Sequence, residues 1–217
     1  MMKTLGSGIL LCALSMPLQA QSQPVVLDEG QDFSVRAVGF LSGQQFAAKK
    51  TFDAVFGESF EKFFGGGILL AEHGVFLEVD LSRFTRTGQR AYIFNGQAYR
   101  LNIPLTVTLT PIEISGGYRF RRQSAVVPYV GVGIGSYSYK ETSSGADTGE
   151  DIDVRHHGYL ALGGAEFRVH RWVGIGADVQ YTHIPGILGS GGLSKDVSET
   201  DLGGIAIRAK VIVGVGR

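Results

Sequence analysis

The sequence predicts an all-β fold, an eight-stranded antiparallel up-and-down transmembrane β-barrel with short periplasmic turns and long external loops. Three observations predict it: an N-terminal export signal, eight segments of strand character, and connections that alternate between short and long. No apolar run after Met16 approaches the roughly 20 residues that a membrane helix needs. A chain of this kind enters a membrane only as a closed sheet, because closure leaves no backbone group unpaired.

The N-terminus has the pattern of a cleavable secretory signal. Lys3 supplies a positive charge, residues 5–16 form a short apolar stretch, and Ala20 is a small residue at the expected cleavage position. We therefore expect a signal peptide at residues 1–20, a short periplasmic segment at residues 21–32 and the barrel at residues 33–217.

The composition excludes several classes of protein. The 20 basic and 20 acidic residues cancel, so nucleic-acid binding has no electrostatic support. Cys12 is the only cysteine and lies in the signal, so the mature chain has neither a disulfide scaffold nor a thiol nucleophile. Many of the 32 glycines lie inside apolar runs, which is typical of strands that bend or leave room for large neighbours.

Eight segments have strand character. In the third segment, the alternate aliphatic residues from Val75 to Leu81 share one face, and Glu78 and Asp80 share the other. A soluble sandwich would bury the aliphatic face, whereas a membrane barrel would turn it toward lipid. The eight candidates are residues 33–42, 65–71, 74–84, 105–121, 128–140, 157–169, 172–183 and 202–216.

The connections favour the membrane barrel. The short ones are residues 72–74, 122–127 and 170–171, and the long ones are residues 43–64, 85–104, 141–156 and 184–201. Strict alternation places all short turns at one rim of an up-and-down barrel and all long loops at the other. A soluble Greek-key sandwich has no reason to produce it.

With the apolar faces outward, a set of charged residues points into the barrel. An eight-stranded barrel is just wide enough for side chains to fill, and confined charges are costly unless they pair. Five acids and five bases form this predicted lumen network: Arg36, Glu78, Asp80, Glu113, Arg119, Glu166, Arg168, Asp178, Arg208 and Lys210. The alternative is that they are solvated residues on the outside of a soluble sheet.

Two strands carry further expectations about their faces. The fourth strand changes the phase of its apolar positions near Pro111, which suggests a bulge there. On the fifth strand, if Val130 and its alternate neighbours face lipid, then Tyr129, Tyr137 and Tyr139 face inward. The glycines between the outward residues would then make space for long lumen side chains.

The first long connection contains a candidate amphipathic helix. Phe52, Phe56, Phe60 and Phe63 recur at helical spacing, and Thr51 could cap the helix. Such a helix could lie on the outer leaflet, cap the barrel mouth or dock a partner. The alternative is local packing of the phenylalanines onto neighbouring loops.

Four stretches carry a resemblance to a known family: "GILLCALSMPLQA", "GGYRF", "PYVGVGIGSYSY" and "LGGAEFRVHRWVGIGADVQYTH". The chain resembles the small outer-membrane β-barrel superfamily of diderm bacteria, which includes the OmpA transmembrane domain and OmpW. The resemblance covers essentially the whole mature chain. It implies a place in the bacterial outer membrane, contact with outer-membrane lipid and lipopolysaccharide, and assembly by the barrel-assembly machinery.

Some barrels of this superfamily modify lipid A with a histidine at the external rim and a serine or carboxylate. His183 lies near the long-loop end of the seventh strand, and Ser190, Ser194 and Ser198 follow in the next connection. Hydrolysis would require histidine as the base and serine as the nucleophile within hydrogen-bond reach. No fixed spacing supports this chemistry, so no catalytic residue is predicted.

No cofactor or metal is predicted. In "GVGIGS", Ser136 stands where the third glycine of a nucleotide-binding loop belongs, and no helix follows. His156 and His157 are adjacent on a strand and point to opposite faces, so they would chelate a metal poorly. Nothing in the sequence indicates an oligomeric state.

The sequence therefore predicts a non-catalytic outer-membrane barrel with a structural, adhesive or small-solute passage role. One alternative is an outer-membrane lipid A-modifying hydrolase or acyltransferase. A second is a soluble secreted ligand binder of the calycin type.

Overall fold

A computed structural model describes residues 33–95, 97–121, 123–143, 152–189 and 192–216. The predicted signal peptide and the predicted periplasmic segment, residues 1–32, lie outside the described residues, and so does Ser190.

Eight antiparallel strands close into a barrel, which confirms the predicted fold class. Each strand pairs with its neighbours in sequence, and β1 also pairs with β8 to close the ring. Two helices lie in the connections β1–β2 and β7–β8. The elements are β1 Phe33–Phe46, α1 Lys49–Phe56, β2 Phe60–Glu72, β3 Val75–Phe94, β4 Gln97–Arg119, β5 Val126–Ser143, β6 Ile152–His170, β7 Val173–His183, α2 Gly192–Asp196 and β8 Gly204–Gly216.

The barrel has an inside-out distribution of side chains. Glu78 and Asp80 are buried, whereas the aliphatic residues that alternate with them on β3 are exposed. The same alternation on the other strands produces an apolar belt around the outside, formed by Val35, Leu41, Ile68, Leu77, Val79, Leu81, Ile112, Ile114, Val130, Val132, Ile134, Ile175, Val179, Ile205, Ile207 and Val211. Exposed aromatic residues border this belt, with Tyr118, Phe120 and Trp172 at the short-turn rim and Phe64, Tyr159 and Tyr181 toward the other rim.

Tight turns join the strands at one rim. The β2–β3 turn consists of His73 and Gly74, whose φ angles of 49° and 92° are both left-handed. Two residues, Arg171 and Trp172, connect β6 with β7. Both connections are as short as the sequence predicted.

The predicted long loop at residues 85–104 is wrong. β3 and β4 continue as a hairpin of 20 and 23 residues, and only residues 95 and 96 separate them. Directly above the apolar belt the outward face of this extension is polar, for example where the hydroxyls of Thr87 and Thr106 lie 2.8 Å apart. Strand prediction relied on outward aliphatic residues, and these stop where the hairpin leaves the apolar belt.

The predicted bulge at Pro111 is also wrong. Pro111 pairs with Tyr137 in an unbroken register between β4 and β5. The apolar positions change face because Leu105, Val107 and Leu109 point into an apolar part of the interior. The register shift in the β3–β4 pair lies between Gln89 and Ala91 instead.

The predicted helix is shorter than its phenylalanine spacing suggested. α1 ends at Phe56 because Gly57 adopts a left-handed φ of 88° and donates its N–H to the Asp53 carbonyl at 2.9 Å. Phe60 and Phe63 therefore lie on β2, where Phe63 points inward and Phe60 outward.

None of the helices in the described part of the chain is both long enough and apolar enough to cross a membrane.

Candidate functional site

The interior of the barrel is filled by two layers of side chains. Toward the short-turn rim lie ionic and polar side chains, which we call the ion layer, beside a second buried apolar cluster that includes Phe40, Leu69, Phe76 and Ile212. Toward the long-loop rim lies an apolar cluster, which we call the apolar plug. The plug consists of Phe46, Ala48, Phe52, Ala54, Val55, Phe63, Phe84, Leu105, Val107, Leu109, Tyr137, Tyr139, Ile184, Ile187, Leu188, Leu193 and Leu202.

Asp178 and Arg208 form the centre of the ion layer. They are paired across β7 and β8, and the alternation on both strands turns them inward. Arg208 donates from Nε to Asp178 Oδ1 at 2.6 Å and from Nη2 to Oδ2 at 3.0 Å. Its remaining nitrogen, Nη1, donates to Asp80 Oδ2 at 3.1 Å. This fork-shaped geometry makes the strongest class of ionic hydrogen bond.

Lys210 extends this network toward β3. Its Nζ lies 2.5 Å from Glu78 Oε1 and 3.0 Å from Asp178 Oδ2. The Tyr129 hydroxyl donates to Asp178 Oδ2 at 2.7 Å. Lys210, Glu78, Asp178 and Tyr129 are all buried, and the charge of Lys210 is balanced inside the barrel by the two carboxylates.

A second cluster surrounds Glu166. Arg36 Nη1 donates to Glu166 Oε1 at 2.7 Å, and Arg119 Nη2 donates to Oε2. Arg168 lies two residues further along β6 and also points inward. The structure therefore places this member of the predicted network beside the cluster. Within the described residues, Arg168 forms no ion pair there.

Glu113 is held by neutral groups. It accepts a hydrogen bond from the Tyr137 hydroxyl at 2.8 Å and from Gln180 Nε2, which lies 3.1 Å from each of its carboxylate oxygens. Sequence reasoning did not assign Tyr137 and Gln180 to the network. Both inward positions follow from strand alternation, which could have identified them as partners.

Phenylalanine rings form the centre of the apolar plug. Phe52 of α1 stacks on Phe46 with ring centroids 4.0 Å apart, and Phe63 stacks on Phe84 at 5.2 Å. The helix thus closes the barrel mouth from inside through Phe52, while the Phe56 ring packs at the edge of Phe84 with centroids 6.4 Å apart. The inward-facing apolar residues of β4 are the sequence signal from which this cluster could have been predicted.

Polar contacts hold α1 and the chain directly after it in place. Arg86 lies 2.8 Å from Glu58 Oε1 and also donates to Glu61. Burial raises the pKa of the Glu61 carboxyl, and the hydrogen bond and charge of Arg86 oppose that shift. The hydrogen bond to Glu61 is the main cause of a raised pKa for Arg86. Arg100 of the β3–β4 hairpin donates to the carbonyls of Ala54 at 3.0 Å and Asp53 at 3.2 Å.

The space between the two layers is small. A cavity of 20 Å³ lies among Glu113, Tyr137, Gln180 and Arg208. This volume accommodates about one water molecule. The arrangement suits a sealed cylinder rather than a wide aqueous pore.

His183 has a carboxylate partner at the long-loop rim. Its Nδ1 lies 2.7 Å from Asp201 Oδ2. Asp201 Oδ1 accepts the N–H groups of Ile184 and Gly203, both at 2.8 Å, which fixes the carboxylate. Ser194 is buried, and its hydroxyl accepts the Gly189 N–H at 2.9 Å. Sequence reasoning missed Asp201, which lies 18 residues from His183 and has no local signature.

A closed eight-stranded barrel with an apolar belt outside and paired charges inside defines the class of small outer-membrane β-barrels. Residues 8–203 match the family described as outer membrane protein beta-barrel domain, and the chain belongs to this family. Membership places it among proteins of the bacterial outer membrane and confirms the resemblance seen in the sequence. The soluble alternative requires the ionic groups outside, whereas the structure buries Glu78, Asp80, Asp178 and Arg208 and exposes the aliphatic residues of the belt.

Three solved structures are similar to this chain. Neisserial surface protein A is 18% identical, with a TM-score of 0.51 over 86% of this chain and 100% of that chain. The N-terminal β-barrel domain of Pseudomonas aeruginosa OprF is 14% identical, with a TM-score of 0.48 and the same coverage. Ail, the attachment invasion locus protein of Yersinia pestis, is 12% identical, with a TM-score of 0.47 over 86% of this chain and 98% of that chain. A search of curated sequences finds no significant match.

Proposed function

We propose that this protein is a sealed, non-catalytic barrel of the outer membrane with a structural or adhesive role at the cell surface. The observation that carries the proposal is the β3–β4 hairpin, which continues far beyond the apolar belt and ends in exposed aromatic side chains. In this role the apolar belt contacts outer-membrane lipid and lipopolysaccharide. The chain reaches the membrane after signal cleavage and through the barrel-assembly machinery.

The hairpin has the properties of a contact surface. Beyond the register shift, Tyr92, Phe94, Tyr99 and Leu101 are all exposed. The rings of Tyr92 and Tyr99 stack with centroids 5.4 Å apart. Contiguous exposed apolar surface of this kind marks interaction sites, and tyrosine offers contact area at low entropic cost.

The hairpin is also anchored. Arg100 bonds to the C-terminal carbonyls of α1, and α1 is fixed by Phe52 in the apolar plug. The aromatic tip is therefore presented by a supported element. A preorganised surface loses less entropy when it binds.

Of the three roles that the sequence suggested, passage of small solutes has the least support. The ion layer and the apolar plug fill the interior in series, and the cavity between them takes about one water molecule. A solute would have to displace buried ion pairs, which is costly.

The adhesive role is tested by removing the aromatic tip. Cells that display the Tyr92→Ser, Phe94→Ser, Tyr99→Ser variant should lose self-aggregation and adherence to matrix-coated surfaces relative to wild type. Tyr118→Ser is the matched control, since it removes an exposed aromatic ring from the opposite rim of β4. Adherence that is unchanged in the triple variant at equal surface level rejects the adhesive role and leaves a structural one.

A lipid hydrolase is a second candidate because His183 is oriented by Asp201 through Nδ1, which leaves Nε2 available as a base. The test incubates reconstituted protein with acyl-labelled lipid A and compares wild type with His183→Ala and with His157→Ala as the control. The non-catalytic proposal expects no acyl release from any of the three proteins. Release that disappears only in His183→Ala would establish the enzyme instead.

A further inference from the structure

Basic side chains lie on the outside of the barrel, above the apolar belt at the long-loop rim. We call them the cationic band, and all four members are exposed: Lys62 on β2, Arg83 on β3, Lys140 on β5 and Arg155 on β6. Among the described outward residues of β2–β6 at this height, Asp153 is the only acid, and Lys140 Nζ lies 3.7 Å from its Oδ2. Four bases against one acid leave the band with an excess of positive charge.

The band lies where the head groups of lipids begin. Arg83 is two residues beyond Leu81, which is 54% exposed, and Lys62 is two residues beyond Phe64, which is 66% exposed. A strand rises about 3.3 Å per residue, so these cations lie about 7 Å along the strand from those apolar side chains. Phe60 and Phe64 flank Lys62 on the outward face, and aromatic rings of this kind mark the boundary between lipid tails and head groups. Long basic side chains at that boundary rest their stems on the wall and hold their charge among the head groups.

Hydroxyl groups line the wall between the cations. Thr108 pairs with Thr85 on one side and with Lys140 on the other. The Thr85 hydroxyl lies 3.3 Å from the Thr108 hydroxyl and 3.4 Å from Arg83 Nε. Hydroxyl, guanidinium and ammonium groups are the donors that phosphate oxygens accept.

The cationic band covers one side of the barrel only. The described outward residues of β7, β8 and β1 include no lysine, arginine, aspartate or glutamate. At the long-loop rim this side presents uncharged residues such as Gln45, Tyr181 and Ile205. A general preference for the membrane surface would distribute bases around the whole rim, so their confinement to β2–β6 indicates a site for a particular ligand.

The four bases form two pairs. Lys62 and Arg83 lie on the neighbouring strands β2 and β3, and Lys140 and Arg155 lie on the neighbouring strands β5 and β6. Because β3 and β5 are two strand spacings apart, about 10 Å separates the pairs. A phosphate monoester carries a charge of about −1.5 to −2 near pH 7, which two bases balance. Asp153 offsets part of the charge of the second pair, so the first pair is the stronger anion site.

We propose that the cationic band binds the head group of a glycolipid that carries two phosphate groups, one at each pair of bases. The acyl chains of this lipid lie on the apolar belt below the band. The inference rests on the proposed contact between the belt and outer-membrane lipid, and it is independent of the role of the aromatic hairpin.

Native mass spectrometry of the exported, folded chain in neutral detergent tests the selectivity. The probe is an equimolar mixture of bisphosphorylated and monophosphorylated lipid A with the same acyl chains. The wild type should retain the bisphosphorylated form with a preference of about tenfold, because the second phosphate engages a second pair of bases. Equal retention of the two lipids overturns the proposal.

Removing charge from each pair locates the site. Lys62→Gln combined with Arg83→Gln should abolish the preference. Lys140→Gln combined with Arg155→Gln should lower it less, since Asp153 already offsets that pair. Arg83→Gln alone should lower it too, and this single variant serves where a double variant does not fold. An unchanged preference in the Arg83→Gln variant overturns the proposal.

Two controls separate the site from net charge and from packing. Arg121→Gln combined with Arg171→Gln removes two exposed bases at the opposite rim and should bind like the wild type. Lys62→Arg combined with Arg83→Lys keeps both charges of the first pair and should keep the preference. Loss of the preference in either control overturns the proposal.

Insertion into phosphatidylcholine vesicles, followed on a heat-modifiability gel, is measured for every protein. A wild type that does not insert contradicts the proposed membrane contact and the head-group site together. An inserted wild type that shows no preference for the bisphosphorylated lipid contradicts the head-group site alone.

Discussion

Arg208 and Asp178 face each other inside the barrel, joined by two hydrogen bonds of 2.6 and 3.0 Å between a guanidinium and a carboxylate. The pair connects β7 with β8 and, through Arg208 Nη1 and Asp80, reaches β3 on another part of the wall. Lys210 and Tyr129 use the same carboxylate. Asp178 thus joins Arg208, Lys210 and Tyr129 directly, and Asp80 and Glu78 through them, into one network.

Removing the Asp178 charge should destabilise the barrel strongly. We expect Asp178→Asn to lower the free energy of unfolding by about 3–5 kcal/mol, because two buried cations lose their common counter-charge. The measurement is equilibrium urea unfolding in detergent micelles. Asp178→Leu combined with Arg208→Met is the control, since it removes both charges together and should cost less than Asp178→Asn. A loss below 0.5 kcal/mol, estimated as about the range of surface substitutions, would contradict the network.

Phe52 and Phe60 should differ sharply although both belong to the phenylalanine series of the first connection. Phe52 is 3% exposed in the apolar plug, and Phe60 is 47% exposed on the outward face of β2. Phe52→Ala should cost about 3–5 kcal/mol of stability and Phe60→Ala about 0.5 kcal/mol or less. Limited proteolysis of residues 47–59 gives a second readout, with faster cleavage expected only for Phe52→Ala. Equal effects of the two substitutions would show that α1 does not insert into the barrel mouth.

Glycine positions should be tolerant outside and intolerant inside. A Cβ at Gly135 would lie 2.6 Å from the Tyr137 hydroxyl, which is held by Glu113, whereas a Cβ at Gly39 would meet no atom within 4 Å. Gly135→Ala should therefore cost about 1–3 kcal/mol by overpacking. Gly39→Ala should leave the unfolding midpoint within error. The reverse order would mean that Tyr137 does not point into the lumen.

The filled interior predicts a low conductance. In planar bilayers the wild-type chain should show no large, stable openings, since ion layer and apolar plug block the lumen in series. Phe52→Ala loosens only the plug and should still show none. Large stable openings in the wild type would contradict the sealed lumen, and openings in Phe52→Ala alone would assign the seal to the plug.

The strand segments at the height of the apolar belt were predictable. Lipid outside and charge inside impose a strict alternation of apolar and charged residues there, as on β3 from Val75 to Leu81. The β3–β4 hairpin was missed because its outward residues, such as Thr87 and Thr106, meet water on that face and carry no such signal. Within the belt the apolar residues of a strand point outward, but in the apolar plug those of β4 point inward. The change of face near Leu109 was therefore interpreted as a bulge. The ten predicted lumen charges sum to zero, and this balance gave no sign that Arg168 lies where arginines outnumber carboxylates.

The inside-out arrangement is tested most directly by lipid quenching of single tryptophans. Trp172 is the only tryptophan, so Trp172→Phe provides a silent background. Into it are placed Val132→Trp, at a position 69% exposed, and Phe76→Trp, at a position 3% exposed. The two lie close together on the barrel wall, since Val132 pairs with Gly116 and Gly116 with Leu77, the neighbour of Phe76. In vesicles of brominated lipid the account predicts strong quenching for Val132→Trp and weak quenching for Phe76→Trp. Strong quenching at position 76 with protection at position 132 would contradict it.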